Sequence, residues 1–514
     1  MKEISISGPY NLWRILASLL IFVYLLTDKN GVEAFSNYHL GRYWHGFLGG
    51  PSKIPSLIEF EPIDMWFEQR LDHFSSKSTT TWKQRYFVND EYYRNDSRAP
   101  IFLLVGGEAE AAKQWMHSGA WIKYAEHFGA LCFQLEHRFY GQSRPTANLS
   151  NANLKYLTSE QALADLSNFV KAMKKEYNLG PKQKWIAFGG SYPGSLVAWF
   201  REKYPDLIYG SISSSAPLLA KVDFREYFEV VKKSLAHYNP DCVKAVGRGF
   251  VQIEILLKHM IGQRNLDEKF NTCTPIADSI NNDLDIANLF ENIASNFAGI
   301  VQYNKDNTNH SKIDIDQVCN IMMNTKIGPP VNRLAVVNAR LMKLSEENCL
   351  DYKYDKMIAT MQETSWDSIV AKGMRQWIWQ TCNEFGFYQT AENKSDTFGD
   401  HFKVNFFIKQ CMDIYGDSMN SEYLNQVVSR TNQFYGGLKP STTNVLYVHG
   451  STDPWHSLGL TKAQNPKTPI VYIKDTAHCA DMYEPIGTDS QELIAARHKI
   501  LRYLAMLLSD YKAA

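Results

Sequence analysis

Short apolar runs alternate with helical patterns along two parts of the chain. Most runs are four or five residues long, as in strands that are buried on both faces of a parallel sheet, and one of them ends at Gly106-Gly107. Behind Thr158, apolar residues recur at helical spacing as far as Met173. This alternation predicts an α/β fold with a parallel-type sheet covered on both sides. The predicted strands are 66–74, 82–88, 101–105, 131–135, 185–188, 211–214, 445–448 and 470–473, with further helices at about 196–204 and 490–508.

The alternation stops between residues 218 and 443. This stretch is rich in helical patterns, and it has neither strand signals between them nor a fixed repeat. We therefore predict an α/β domain made of two segments, 61–217 and 444–514, with a helical insertion at 218–443. Residues 35–60 are predicted to be an N-terminal extension of this domain.

The first 34 residues have the pattern of a cleavable signal peptide. Lys2 and Arg14 precede an apolar run at 15–26, which is too short to span a bilayer but has the length of a signal-peptide core. Small residues then place the cleavage after Ala34. An uncleaved membrane anchor is the alternative, and no later segment is apolar enough to span a membrane.

Sequons agree with a route through the secretory pathway. One N-x-[ST] pattern is weak evidence because it is short, but four behind a signal peptide are better. We therefore expect a lysosomal or extracellular protein that carries glycans at some of these positions. The candidate glycosylation sites are Asn95, Asn148, Asn309 and Asn393.

Six of the eight cysteines lie within the predicted insertion. Six cysteines permit 15 pairings, and spacing alone does not choose among them. In an oxidising compartment we predict disulfides that cross-link the insertion. A zinc site is the alternative, but the sequence lacks C-x-x-C spacing. The six are Cys242, Cys273, Cys319, Cys349, Cys382 and Cys411.

Composition and charge narrow the classes of function. Lysine and arginine together number 54, as do aspartate and glutamate, so the chain is neutral. It therefore has no broad positive electrostatic potential that would attract nucleic acid or an anionic membrane. The sequence has no G-x-x-x-x-G-K-[ST] run, which argues against a P-loop nucleotide enzyme. We expect no nucleic-acid partner, no stable membrane insertion, no metal and no cofactor.

Ser191 lies in a candidate nucleophile elbow. Two glycines precede it directly after a predicted strand, and a predicted helix follows, so the tight turn would lift its hydroxyl clear of the sheet. The match to G-x-S-x-G is imperfect, because Pro193 takes the place of the last glycine and Gly194 follows it. Proline is tolerated in a first helical turn. The alternative is a glycine- and serine-rich turn without chemistry.

A base and an acid follow in the order found in α/β-hydrolases. Asp453 comes after the strand at 445–448, and His478 comes after the neighbouring strand at 470–473. Parallel strands end at the same sheet edge, so both side chains should meet Ser191 there, as a serine nucleophile requires. A turn-forming aspartate and a core histidine are the alternatives.

Other side chains compete for these roles. His456 is close to Asp453 in sequence but precedes the last strand, and Asp475 could act only by turning toward His478. Cys479 has no elbow around it, so a buried thiol is the better interpretation. Ser195 is expected on the helix, pointing away from the elbow. Three serines at a later strand end are predicted to have packing roles: Ser213, Ser214 and Ser215.

An oxyanion hole needs two backbone donors. We predict the N–H of Tyr192, the residue after the nucleophile, and the N–H of Gly107, in the loop after the strand at 101–105. Glu108 and Glu110 follow in this loop. They are either solvated or salt-bridged carboxylates, or they face the site and bind a substrate amine.

Several segments resemble one family of serine peptidases, that of lysosomal prolyl carboxypeptidase, dipeptidyl peptidase II and thymus-specific serine protease. The resemblance runs from about residue 64 to the last helix, and the sequence at 455–459 is most similar to the thymus-specific branch. The family cleaves peptides beside proline at either chain end. The segments are WFEQRLDHF (66–74), EHRFYG (136–141), GGSYPG (189–194), GSTDPW (450–455) and AHCADM (477–482).

The resemblance also implies roles for single residues. It implies a triad of Ser191, Asp453 and His478 under a disulfide-bonded helical cap, acting on peptide substrates, and it leaves a homodimer open. Cys479 departs from the prolyl carboxypeptidase branch, which tends to carry a second histidine there. The implied disulfides are Cys242–Cys319, Cys273–Cys349 and Cys382–Cys411.

Two other functions use the same features. An esterase or lipase would share the hydrolase machinery, since a fold does not fix the substrate. A non-catalytic secreted binding protein could keep the scaffold, although an intact triad argues against it. Trp377, Trp379 and Trp455 are candidate walls of a substrate pocket, with plain core residues as the alternative.

Overall fold

The computed structural model describes residues 38–39, 42–43, 50–51, 62–305, 313–392, 397–463 and 468–509. The predicted signal peptide and two of the sequons, Asn309 and Asn393, lie outside the described residues. Of the other two, Asn95 is exposed, whereas Asn148 is half-buried and its side-chain oxygen accepts hydrogen bonds from Ser150 and Asn153.

An eight-stranded sheet forms the centre of the protein. It combines strands from both predicted segments of the α/β domain in the order β12-β11-β8-β7-β5-β6-β4-β3, and β4 alone runs opposite to the others. The mostly parallel α/β-hydrolase sheet is therefore confirmed. The strands of the described chain are β1 (Tyr38–His39), β2 (Arg42–Tyr43), β3 (Met65–Arg70), β4 (Thr81–Asn89), β5 (Ile101–Val105), β6 (Leu131–Leu135), β7 (Trp185–Gly190), β8 (Gly210–Ser214), β9 (Lys221–Asp223), β10 (Gly386–Tyr388), β11 (Val445–Gly450) and β12 (Ile470–Ile473).

The central strands are apolar throughout because both of their faces are covered. In β5, Ile101, Leu103 and Val105 belong to the core on one face, and Phe102 and Leu104 belong to the core on the other. Side chains alternate across a strand, so a continuous apolar run is what two buried faces require.

The first predicted strand ends earlier than its apolar pattern. β3 stops at Arg70, four residues before the expected end at Phe74. The side chain of Asp72 accepts a hydrogen bond from the backbone of Phe74 at 3.0 Å. This local turn competes with the strand and terminates it.

Helices pack on both faces of the sheet and fill the region between β8 and β11. Thr158 caps α3 by accepting a hydrogen bond from the backbone of Gln161, and Ser490 caps α15 in the same way. None of the helices in the described part of the chain combines the length and hydrophobicity needed to span a bilayer. The helices are α1 (Ala120–Phe128), α2 (Asn151–Leu154), α3 (Ser159–Glu176), α4 (Tyr192–Lys203), α5 (Glu226–Tyr238), α6 (Pro240–Leu257), α7 (Met260–Phe270), α8 (Asp283–Gln302), α9 (Ile315–Met323), α10 (Pro330–Leu344), α11 (Tyr354–Met361), α12 (Met374–Gln380), α13 (Val404–Tyr415), α14 (Ser421–Tyr435) and α15 (Gln491–Leu508).

The helix-rich region also contains strands that the sequence pattern does not indicate. β9 and β10 form a two-stranded parallel sheet, with Gly386 opposite Lys221 and Tyr388 opposite Asp223. Three-residue strands are too short to show a period of two, and their partners are far apart in the chain. Local patterns therefore cannot reveal them.

Three disulfides cross-link this region. They join the pairs that the family resemblance implies, whereas Cys132 and Cys479 are free and buried. Two of the bonds close loops of more than 70 residues, and the third closes a shorter one. The pairs are Cys242–Cys319, Cys273–Cys349 and Cys382–Cys411.

Reduction should loosen the region between β8 and β11 far more than the sheet. All three disulfides lie in that region, and losing a native disulfide typically costs about 2–5 kcal/mol of unfolding free energy. Hydrogen exchange followed by mass spectrometry, with and without reductant, measures the effect segment by segment. Equal gains in exchange over residues 101–214 and 218–443 would contradict this prediction.

Candidate active site

Ser191 occupies a strained turn between β7 and α4. Its backbone has φ 64° and ψ −132°, a region that non-glycine residues rarely adopt. Its N–H donates to the carbonyl of Ser214 at 2.9 Å, and its own carbonyl accepts from Ser195 at 3.2 Å. The helix begins at Tyr192, earlier than the sequence predicts. The serine therefore lies at the N-terminal, electropositive end of α4.

The glycine two residues before the serine leaves room for the turn. A Cβ atom on Gly189 would lie 2.3 Å from the carbonyl oxygen of Pro193. A side chain there would push the first turn of α4 away from β7. The small residues of the elbow therefore allow the strand and the helix to approach this closely.

Pro193 gives the departure from G-x-S-x-G a structural role. A Cβ atom on Gly107 would lie 2.3 Å from Cγ of Pro193, so the proline ring packs directly against the glycine of the loop after β5. The N–H groups of Gly107 and Tyr192 donate to no acceptor in the part of the chain that the structure describes. Both amides can therefore donate a hydrogen bond to a bound ligand near the elbow.

Asp453 and His478 form a completely buried pair. Nδ1 of His478 lies 2.9 Å from Oδ1 of Asp453, and neither side chain is accessible to solvent. The same oxygen of Asp453 accepts a hydrogen bond from the backbone of Trp455 at 3.0 Å. Nε2 of His478 is buried without a hydrogen-bond partner among the described residues, as a base awaiting a proton requires.

The carboxyl ends of the strands bring these residues to one edge. Gly190 of β7 pairs with Ser214 of β8, and the loops that follow both strands meet the loop after β12. The carbonyl of Ser214 accepts from Ser191 and lies 4.0 Å from Sγ of Cys479. The N–H of Cys479 donates to Oγ of Ser215 at 2.9 Å. The elbow and the histidine loop therefore share one support.

Electrostatics favour an ionised acid and neutral flanking histidines. Burial opposes ionisation of Asp453, but the charge and hydrogen bond of His478 outweigh it and hold the pKa of the carboxyl below its ordinary value. Burial lowers the pKa of His449 to about 4 and also lowers that of His456. Neither of those imidazoles is charged near neutral pH.

The competing acid lies elsewhere. Asp475 is exposed, and its Oδ1 lies 3.3 Å from Nε2 of His237. Its backbone N–H donates to Oγ of Ser451. Asp475 therefore belongs to the surface, and Asp453 is the carboxylate in contact with His478.

The other serines have partners of their own. Oγ of Ser195 donates to the carbonyl of Pro217 at 2.9 Å, and Oγ of Ser213 donates to the carbonyl of Gly194 at 2.8 Å. These bonds hold α4 against β8. For Ser213 the predicted packing role is too simple, since its hydroxyl also satisfies a buried carbonyl.

The sequence gives no indication of Gln302, which connects the helical region to the site. Its backbone carbonyl accepts a hydrogen bond from the backbone of His478 at 2.9 Å. Its side-chain oxygen accepts from Tyr227 at 2.6 Å and from the indole of Trp455 at 3.0 Å. The ring of Tyr303 packs edge-on against His478. A single polar residue at the end of an apolar helix carries no local signal for such a role.

Two of the three candidate tryptophans line a pocket. It has a cavity volume of about 110 Å³ and lies between β10, α12 and the acid loop, where Trp377 and Trp455 form part of its wall. The ring of Trp377 lies 5.7 Å from that of Tyr192. Trp379 instead packs edge-on against Tyr415 as a core residue.

The two glutamates after β5 differ in burial and in hydrogen bonding. Glu110 is exposed and forms a salt bridge with Arg85 at 2.7 Å. Glu108 is buried, and neither of its carboxyl oxygens has a hydrogen-bond partner on another described residue. Burial raises the pKa of Glu108 to about 8, slightly offset by its own backbone amide.

A strained serine at a strand–helix turn and a buried Asp–His pair at the same sheet edge define a serine hydrolase of the α/β-hydrolase fold. Comparison with known proteins narrows the class. The model of the serine carboxypeptidase S28 family matches residues 69–500, and the chain belongs to that family. It is a serine-type peptidase.

Curated relatives cover nearly the whole chain. A putative serine protease of Caenorhabditis elegans is 35% identical over 95% of this chain and 96% of its own. The thymus-specific serine protease of Mus musculus is 33% identical over 98% of this chain and 96% of its own. The lysosomal Pro-X carboxypeptidase of Homo sapiens is 25% identical over 90% of this chain and 91% of its own.

Replacing Asp453 by asparagine should keep the fold and remove most activity. The amide can no longer stabilise a protonated His478. The corresponding change in a Ser-His-Asp triad lowers kcat by a factor on the order of 10⁴. Asp475→Asn is the matched control, because that side chain is exposed and remote from the imidazole. Should the control lose activity and Asp453→Asn retain it, the acid is misassigned.

Gln302→Leu should lower both stability and activity. The hydroxyl of Tyr227 and the indole N–H of Trp455 would lose their shared acceptor, at a cost of about 1–3 kcal/mol of unfolding free energy. Gln263→Leu is the control, a buried glutamine of the helical region whose side chain donates to the carbonyl of Leu257. Denaturant unfolding and kcat are measured for both. Equal loss of kcat in the two variants would contradict a specific role for Gln302.

Proposed function

We propose that this protein is a serine exopeptidase that hydrolyses short peptides beside proline through an acyl-enzyme. The observation that carries the proposal is the solvent-inaccessible contact between His478 and Asp453 at the same sheet edge as the strained Ser191. Membership of a serine peptidase family supports the same reaction class.

The proposed mechanism assigns one step to each group. Oγ of Ser191 attacks the scissile carbonyl while Nε2 of His478 accepts its proton, and Asp453 stabilises the imidazolium. The N–H groups of Tyr192 and Gly107 bind the oxyanion. His478 then returns the proton to the leaving amine, and a water molecule hydrolyses the acyl-enzyme by the same route in reverse.

The surroundings of the pair support a preference for chain ends. In the proposal, the helical region acts as a cap, since α8 covers His478 through Gln302 and Tyr303. A covered site admits an end of a chain more readily than its middle. The aromatic pocket at Trp377 and Trp455 suits the flat, apolar ring of proline.

The proposed location is the lysosome or the extracellular space. The predicted signal peptide and the exposed sequon at Asn95 support entry into the secretory pathway. Disulfides that persist in such compartments are consistent with it. The name of one relative, lysosomal Pro-X carboxypeptidase, supports the lysosomal alternative.

Digestion of a peptide library by the wild-type protein and by Ser191→Ala tests the proposal. Wild type should release short fragments cut next to proline, and the variant should lose activity on the order of 10⁶ in kcat. Mass spectrometry identifies the bonds that are cut, and a fluorophosphonate probe should label only the wild type. Hydrolysis of acyl esters without any peptide cleavage would favour the esterase alternative instead.

A further inference from the structure

A buried carboxyl group without a partner lies next to the proposed oxyanion hole. Glu108 directly follows Gly107, and it is only 3% exposed. Both of its oxygens lack a hydrogen-bond partner on any other described residue. Leaving a buried carboxyl unsatisfied is costly, so such a group in a cleft is a candidate for a functional role.

Nearby donors are already engaged. The hydroxyl of Tyr140 donates to Oε1 of Gln380 at 2.6 Å. The hydroxyl of Tyr192 accepts from Nε2 of the same glutamine at 3.0 Å and lies 3.0 Å from Nε2 of His137. Within the described chain these groups satisfy one another, and none of them donates to the carboxyl group of Glu108.

The cleft around Glu108 favours a cationic ligand. It is lined by the elbow residues Gly190 and Pro193, by the loop after β5 and by Met482. Among its described lining residues there is no lysine, arginine or histidine, and Glu110 is already paired with Arg85, so Glu108 supplies the acidic group that is left. A substrate carboxylate would find no positive partner here, but an ammonium group would find a carboxyl group that can ionise to pair with it.

We propose that Glu108 binds the free α-amine of the peptide substrate, so that the enzyme releases fragments of one or two residues from the N-terminus. The proposal rests on the proposed function, because it places the scissile carbonyl at the amides of Gly107 and Tyr192. Consecutive Cα atoms are about 3.8 Å apart, and an extended residue spans about 3.3–3.6 Å. Glu108 is therefore within one or two substrate residues of that carbonyl.

The proton balance predicts a pH signature. Glu108 is mostly neutral at pH 7 in the free enzyme because its pKa is about 8. A peptide α-amine, with an ordinary pKa of about 7.7–8.0, is mostly protonated there. Forming the ion pair therefore releases one proton, and KM for a free-amine peptide should fall as the pH rises from 6 toward 8.

Neighbouring groups do not produce this signature. Burial raises the pKa of Tyr140, Tyr192 and Cys479 well above their ordinary values, and burial lowers the pKa of His137 to about 4. All four keep their charge state between pH 6 and 8. A change in the catalytic groups acts on every substrate, so the ratio of free to N-acetylated peptide isolates the contribution of the substrate amine.

The experiment compares one cleaved peptide in three forms: free, N-acetylated and C-amidated. Wild type should prefer the free amine over the acetylated form by a factor on the order of 10² in kcat/KM, and amidation should have little effect. Glu108→Gln keeps the size of the side chain and loses its charge, so it should lower kcat/KM for the free peptide far more than for the acetylated one and abolish this preference. Glu110→Gln, the exposed neighbour, should behave as wild type.

Other results would overturn the inference. They are equal cleavage of free and acetylated peptides by the wild type, loss of cleavage on amidation, or an equal loss on both substrates in Glu108→Gln. If the Glu108→Gln variant does not fold, the comparison of the three peptide forms with the wild-type enzyme still tests the inference. Failure of the proposed function itself is distinct, since then no form is cut and the fluorophosphonate labels nothing.

Discussion

The proposed active site depends on keeping the contact between Asp453 and His478 free of water. A carboxylate and an imidazole interact more strongly as their surroundings become less polar, and both side chains here are inaccessible. The ends of the strands alone form an open edge. The helical region closes it, since the carbonyl of Gln302 accepts from the backbone of His478 and Tyr303 packs on the ring. The sheet and the inserted helices therefore stabilise the pair together.

The strained backbone at Ser191 needs the same support. A non-glycine residue at positive φ costs about 1–3 kcal/mol, and it persists only where neighbouring groups fix it. Here the carbonyl of Ser214 holds the serine from β8, and the ring of Pro193 packs on Gly107 from the other side. The proline that departs from the usual pattern thus fixes the elbow against the loop whose amide is the proposed second donor.

Much of this arrangement could be predicted from the sequence, for a definite reason. Strands buried on both faces are continuous apolar runs, and parallel strands end at one edge, so residues that follow them meet there. Gln302 and the β9–β10 pair could not be predicted, because their partners are distant in sequence and their own segments carry no periodic signal. Glu108 falls between these cases: its position was predictable, but its complete burial depends on packing from several elements.

The surroundings of Asp453 explain why a single imidazole takes part in the proposed relay. Three histidines lie close enough to influence its charge: His449, His456 and His478. Burial lowers the pKa of the first two, so neither neutralises the carboxylate near neutral pH. His478 alone among them has a ring nitrogen in ion-pair contact with the carboxylate in the described chain. The negative charge of Asp453 is therefore reserved for the imidazole whose other nitrogen is unpartnered, which is the arrangement that moving a proton from serine to leaving group requires.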